Sequence, residues 1–257
     1  MITYLDFPVY SSGCAQRVAV RSILSKTKSA FQDILIIDSP EFGKCLILDG
    51  IMQSAELDHS VYDAALLKEL SPRDERLLIV GGGDGWVAET ALLNSPDLQI
   101  TVVEIDIAVV TAACDHLKTK AFQGNQVCLV VGDALEFLET WANSGEKTFD
   151  GIAIDLTDNP RGEGCQRSFE EFHKRTIQAC SRVLNPGGWL SVQAGASHVM
   201  PSYRDAARFL EAELRREFER VWRTDVAIPS YGEEIAFLYA RVHSSADGNH
   251  VPQGGAQ

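Results

Sequence analysis

The stretch Leu77–Ala88 constrains this chain more than any other: Leu-Leu-Ile-Val-Gly-Gly-Gly-Asp-Gly-Trp-Val-Ala. Four consecutive aliphatic residues predict a strand buried on both faces, as in a parallel sheet. The glycines then force a tight turn with no Cβ in the way, and Trp86 to Leu93 starts a helix. Strand, glycine turn and helix open a nucleotide-binding α/β unit. The next strand, Ile100 to Glu104, ends in an acid about 20 residues beyond the turn, which suits a carboxylate accepting both ribose hydroxyls.

The dinucleotide fingerprint GxGxxG needs a glycine where Trp86 stands. The chain instead carries GxGxG (Gly81, Gly83, Gly85), a looser form common among enzymes that bind S-adenosylmethionine. Asp84 narrows the choice further. A helix N-terminus attracts anions. A carboxylate placed there repels a phosphate or a ligand carboxylate and attracts an ammonium group. The turn therefore suits a nucleoside with a cationic tail. Alone, a GxGxG is only a tight turn; its place between strand and helix, with an acid at the next strand end, gives it meaning.

Strands and helices alternate after Leu77, which predicts a doubly wound parallel sheet with helices on both faces. The strands are expected at 77–80, 100–104, 127–131, 150–154, 188–193 and 235–241. The helices are expected near 86–94, 107–117, 133–142, 168–183 and 202–217. Residues 1–72 read differently. Short β-branched runs at 32–38, 44–49 and 51–55, separated by Ser39-Pro40-Glu41-Phe42-Gly43 and Asp49-Gly50, predict a small antiparallel sheet of hairpins. A helix from Asp58 to Leu70 follows, with Val61, Ala64, Ala65 and Leu67 or Leu70 inward. The expected division is thus an N-terminal β domain with one helix (1–72), a Rossmann-like catalytic domain of the methyltransferase type (73–243) and a disordered tail (244–257). A length of 257 residues accommodates this.

Acids fall at the expected carboxyl ends of these strands: Asp84, Glu104, Asp133 and Asp155 with Asp158. Ligands of doubly wound sheets sit there, at the switch in winding direction. The plainer reading of Asp133 is an N-cap, since Gly-Asp-Ala-Leu-Glu-Phe is a good helix start. Asp155 has no such excuse, because a Pro/Gly loop follows it. The Gly and Pro content of 156–168 would permit a lid.

Net charge is −13, which argues against nucleic acid or an anionic membrane as partner. No apolar run approaches the ~20 residues of a membrane span, and the N-terminus lacks a signal-peptide pattern. The six cysteines are scattered without a C-x-x-C pair, which suits reduced cytoplasmic thiols rather than zinc or disulfides. The six histidines show no metal spacing and read as surface or structural, His59 included. The charges of 211–217 read as a solvated helix face.

At these residues the chain resembles the polyamine aminopropyltransferases, the spermidine and spermine synthases. The similar stretches are Phe31-Gln32, Phe42 to Gly50 with Gln53, the Gly81–Gly85 loop, Val103 to Asp106, Gly132-Asp133-Ala134, Asp155 to Asp158, Val192-Gln193 and Ile228-Pro229-Ser230-Tyr231. The resemblance implies aminopropyl transfer from decarboxylated S-adenosylmethionine to an amine, leaving 5'-methylthioadenosine. No metal or further cofactor is implied. Gln32, Asp133 and Ala134 would contact the nucleoside, Glu104 the ribose, and Asp84 the ammonium end of the aminopropyl chain. Asp155 would take the proton from the attacking amine. Gln53, Tyr62, Asp158 and Tyr231 would line the acceptor side. A homodimer is also implied.

Several residues depart from the family pattern. Trp86 replaces a usual glycine. Tyr62-Asp63-Ala64 stands where spermidine synthases carry Tyr-His-Glu or Tyr-Gln-Glu, and their Gly-Pro-Ala segment is absent. Ala55 to Asp58, Asp-Leu-Thr and Pro229 to Glu233 look more like spermine synthases, with Glu233 as a carboxylate for a further amine. Asp158 is spermidine-synthase-like. The reading is therefore spermidine as acceptor, with putrescine next. The rivals are a methyltransferase on the same fold, whose donor carboxylate Asp84 would repel, and a non-catalytic polyamine-binding protein.

Overall fold

A computed structural model describes residues 3–8, 15–145, 148–156, 169–197 and 201–243. A hairpin of β1 (Thr3–Pro8) and β2 (Ala15–Val20) precedes a four-stranded antiparallel sheet: β3 (Ser22–Lys28), β4 (Asp33–Ser39), β5 (Gly43–Leu48) and β6 (Ile51–Ala55). The strand period of two divides β4 and β5 between two cores. Ile37, Cys45 and Ile47 pack against Phe7, Val18 and Val20 of the hairpin. Ile34, Ile36, Leu46 and Leu48 face the other way, onto Trp86, Val109, Ala113 and Leu117 of the larger domain.

The large sheet has seven strands. β7 (Arg76–Gly81), β8 (Gln99–Glu104), β9 (Val127–Val131), β10 (Phe149–Asp155) and β11 (Leu184–Ala196) run parallel. β13 (Glu233–Arg241) pairs antiparallel with β11, and β12 (Arg220–Ile228) pairs antiparallel with β13, in the order β12-β13-β11-β10-β7-β8-β9. Alternation again sets the layers. Leu78, Val80, Ile152 and Ile154 face one side, under α4 (Ala134–Ser144), α5 (Phe169–Val183) and α6 (Pro201–Glu217). Leu77 and Ile79 face the other, under α1 (His59–Leu66) and α2 (Trp86–Asn94). The chain runs outward from β7 to β9 and then returns to β10 beside β7, so the winding reverses between β7 and β10. The doubly wound sheet and the small N-terminal antiparallel sheet are both as expected.

Three details differ from expectation. β12 was not anticipated. The helix expected over 107–117 is α3 (Ile107–Ala112), continued by a wider π turn at Ala113–Leu117. The helix expected over 58–70 ends at Leu66; Ala65 and Leu67 are buried as expected, but Val61 is 44% exposed and Ala64 is exposed too, whereas Asp63 is 1% exposed and packs inward. The cause is polar rather than apolar, because Asp63 accepts hydrogen bonds inside the protein from groups that a Val or Ala could not satisfy. The tail 244–257, the segment 157–168 and Asp158 within it lie outside the described residues. No helix among the described residues is long and apolar enough to cross a membrane.

Candidate active site

The reversal of winding places Gly81, at the end of β7, in register with Asp155, at the end of β10. The two backbones touch. A Cβ on Gly81 would lie 2.0 Å from the Asp155 carbonyl oxygen, and Gly81 has φ +84°, so only glycine fits. Gly83 is needed for another reason: a Cβ there would come within 2.8 Å of Glu104 Oε2. The loop therefore lies tight against both neighbouring strand ends. It carries Asp84, whose carboxylate accepts from the Trp86 amide at the start of α2 (3.1 Å).

Asp84 and Asp155 share one narrow cleft with Gln53, Ser54, Asp58, His59, Tyr62, Asp63, Ile228 and Tyr231. Tyr62 Oη donates to Asp155 Oδ1 at 2.5 Å. Tyr231 Oη donates to the Gln53 carbonyl and so ties the short turn Pro229–Tyr231, between β12 and β13, to β6. Asp58 is fully engaged by the Ser230 amide (2.7 Å) and hydroxyl (2.9 Å). Asp63 accepts from Thr90 Oγ1 (2.7 Å) and lies 2.9 Å from His59 Nδ1. The Ser54 hydroxyl is buried beside Asp84 without a directed hydrogen bond.

The remaining acids are short of compensation. Asp84 and Asp155 both line the cleft, and the dense protein around them disfavours their charge. Burial, and then the charge of Asp63, pushes Asp84 up to about 6, against relief from Ser54, the Trp86 amide and His59. Burial, and then Asp84, pushes Asp155 up to about 8, although the Tyr62 hydroxyl pulls it down. Two titratable carboxyls set apart in this way, at a strand-end cleft, make this the candidate functional site.

The other anticipated residues lie around this centre. Burial pushes Glu104 up to about 7, and its Oε1 accepts from the Asp106 amide at 2.9 Å. Gln32 Nε2 donates to Asp106 Oδ2 (3.0 Å), so Gln32, Asp106 and Glu104 form one connected row. Asp133 caps α4 by accepting from the amides of Leu135 (2.8 Å) and Glu136 (3.2 Å). It also lines an open groove with Gly132 and Phe137, one residue before Ala134. Glu233 pairs across the ladder with Ile228, and residues directly opposite in an antiparallel pair share a face. Ile228 lines the cleft, so Glu233 stands at its border. Its Oε2 is buried without a hydrogen-bond partner, and burial pushes its carboxyl up to about 8.

Sequence reasoning missed His59, Asp63, Ser54 and Asp58 as cleft residues. One signal was available: His59 and Asp63 are four apart on a predicted helix and therefore share its face. No group of three or more His, Cys, Asp or Glu among the described residues could hold a metal ion.

Comparison with known proteins places this arrangement in a lineage. Residues 59–246 match the spermine/spermidine synthase domain family, and residues 7–56 match the family described as the spermidine synthase tetramerisation domain. Spermidine synthase 2 of Arabidopsis thaliana is 34% identical over 188 residues, covering 71% of this chain and 53% of that protein. Polyamine aminopropyltransferase 1 of Hyperthermus butylicus is 31% identical over 227 residues, covering 86% of this chain and 75% of that protein. The chain thus spans about half the length of the plant relatives it matches. Its fold is that of a spermidine synthase crystallised with the transition-state analogue AdoDATO, with a TM-score of 0.81 over 97% of this chain and 84% of that chain at 22% identity. The spermidine synthase of Thermotoga maritima gives 0.77 over 93% of this chain and 79% of that chain at 21% identity. The chain belongs to the spermine/spermidine synthase family.

Proposed function

We propose that this chain transfers an aminopropyl group from decarboxylated S-adenosylmethionine to a polyamine and releases 5'-methylthioadenosine. The observation that carries the reading is the pair of recessed carboxyls, Asp84 and Asp155, meeting in one cleft at the end of the nucleotide-binding strand. Asp84 takes the ammonium of the aminopropyl chain, Glu104 the ribose hydroxyls, and Gln32, Asp133 and Ala134 the nucleoside. Asp155, held by Tyr62, faces the attacking amine.

The chemistry needs little else. The sulfonium is already an activated leaving group. The neutral amine nitrogen attacks the adjacent methylene carbon, the C–S bond breaks, and sulfur keeps the electron pair as a thioether. The amine proton passes to Asp155. A primary amine with pKa ~10 costs on the order of 4 kcal/mol to deprotonate at neutral pH, so a proton acceptor at the nitrogen matters. Asp155, up at about 8 in the ligand-free cleft, starts out largely protonated at pH 7. Arrival of the sulfonium supplies positive charge that lowers it into the ionised state. Holding amine and carbon in line supplies much of the remaining acceleration.

For the acceptor we propose spermidine ahead of putrescine. Glu233, with a buried carboxyl oxygen lacking a partner at the cleft border, is suited to a second ammonium farther along a longer amine. Gln53, Tyr231 and Asp158 complete that side. The homodimer is the proposed assembly, and the match of residues 7–56 to a tetramerisation domain supports self-association; light scattering tests it.

The deciding assay gives the purified protein decarboxylated S-adenosylmethionine with spermidine or putrescine, and reads products by mass spectrometry. Methylthioadenosine with an amine heavier by one aminopropyl unit is the expected result. Methyl transfer from S-adenosylmethionine, with no reaction from the decarboxylated donor, would overturn the reading.

A further inference from the structure

The cleft contains a pair that the proposed chemistry does not use. His59 Nδ1 lies 2.9 Å from Asp63 Oδ2 at the i,i+4 spacing of α1, and Thr90 Oγ1 fixes the same carboxylate oxygen at 2.7 Å. The imidazole stacks on the Trp86 indole, with centroids 4.2 Å apart and planes 23° apart. Trp86 is itself wedged into the core under the N-terminal sheet. The ring is thus clamped between a buried carboxylate and a buried indole, yet it still lines the cleft that holds Asp84 and Asp155.

We propose that His59 and Asp63 form a positioning pair whose shared charge controls the ionisation of Asp84 and Asp155. The proposal rests on the aminopropyl-transfer reading of the site. Among the titratable groups that bear on Asp84, His59 is the source of positive charge, and Asp84 in turn bears on Asp155. Asp63 of α1 and Glu104 of β8 are acids that bear on one or both, and Tyr62 donates a hydrogen bond to Asp155. His59 in turn faces Asp63, Asp84 and Glu89 of α2; burial opposes its protonation, and these acids outweigh burial to raise it. Burial dominates at Asp63 and raises it, against the hydrogen bonds of His59 and Thr90.

The consequence follows from counting proton sites. The intact pair can carry one positive, zero or one negative charge. Without the imidazole it runs only from zero to one negative. Without the carboxylate it runs only from one positive to zero. At every pH the pair is therefore most positive when Asp63 is neutralised and most negative when His59 is removed. Both cleft carboxyls must follow that order, and with them the acid limb of the transfer reaction.

The test uses His59→Gln and Asp63→Asn, both close to isosteric and both able to keep a hydrogen bond across the pair. The pH dependence of kcat/KM for aminopropyl transfer is expected to move to higher pH in His59→Gln and to lower pH in Asp63→Asn, each by about half a unit or more. A structural role would lower activity in both without opposite displacements, so limbs that stay put or move together overturn the proposal. ¹³C NMR titration of the Asp carboxyls in the ligand-free proteins reads the same order without turnover. Absence of transfer in all three proteins would count against the aminopropyl reading alone, while unordered carboxyl titrations would count against the pair.

Discussion

Asp155→Asn should abolish most activity and at the same time stabilise the fold. The folded protein holds this carboxyl at about 8, against 3.8 for an unperturbed Asp. A carboxyl raised on folding binds its proton more tightly in the native state, so it destabilises the protein wherever the unfolded chain has already lost that proton. Below pH 3.8 both states are protonated and nothing is lost. Between 3.8 and about 8 the cost grows by about 1.36 kcal/mol per pH unit, and above about 8 it is constant. At pH 7 it reaches about 4 kcal/mol. Over this range the native Asp155 is neutral, so an Asn amide leaves the cleft's charge unchanged and Asp84 titrates alike in both proteins. The difference then comes from the unfolded chain. Urea unfolding of the ligand-free proteins at pH 5 and pH 7 should show the variant gaining about 2.7 kcal/mol on the wild type across those two units. Transfer activity should meanwhile fall by about 10²–10⁴ with loss of the proton acceptor. A stability difference that does not change between pH 5 and 7 would mean that Asp155 is ionised in the resting cleft, and would refute the account of its burial.

Tyr62→Phe removes the 2.5 Å hydrogen bond to Asp155, the contact that pulls that carboxyl down. Transfer should slow by about 10- to 100-fold, as expected for a hydrogen bond to a charged group, and its acid limb should move to higher pH in a rate profile. Glu233→Gln should raise KM for spermidine by about 10-fold while leaving putrescine kinetics unchanged, since only the longer amine reaches a second carboxylate; equal effects on both acceptors would remove Glu233 from the acceptor site. Gly81→Ala places a Cβ 2.0 Å from the Asp155 carbonyl at φ +84°. It should lower the urea midpoint by the equivalent of about 3 kcal/mol or more, because neither backbone can move without breaking the β7–β10 ladder.

Much of this architecture was legible because it depends on short-range pattern. The run Leu77–Val80 has to be a doubly buried strand, and the glycines after it have to be a turn. The parallel order follows from alternating strands and helices. β12 escaped because it is an edge strand. It pairs with β13 alone and carries Arg220, Arg223 and Asp225, so it shows no run of buried residues. α1 was expected to run to Leu70, and only part of its expected inward face is right: Ala65 and Leu67 are buried, Val61 is not. The rule that apolar residues point inward fails for a helix that borders a cleft, where His59, Tyr62 and Asp63 face the site and Val61 faces water.

The acids show most clearly what pattern cannot reveal. Asp58 and Asp106 are deeply buried, at 4% and 2% exposure, but each has a complete set of donors: Ser230 for the first, and Ser29, Gln32 and the Ala108 amide for the second. Asp84, Asp155 and Glu233 do not, whereas Glu104 accepts from the Gly83, Ile105 and Asp106 amides; burial holds all four above the ordinary carboxylate range. All six are the same two residue types in the sequence. What separates them is how fully the protein itself supplies the compensating donors. A fold that gathers uncompensated acids into one cleft is destabilised when empty, and it recovers that cost when a molecule carrying several positive charges enters. A sulfonium, an ammonium and a polyamine would together supply such charges, so the proposed reaction predicts that binding of both substrates stabilises the fold by more than either one alone.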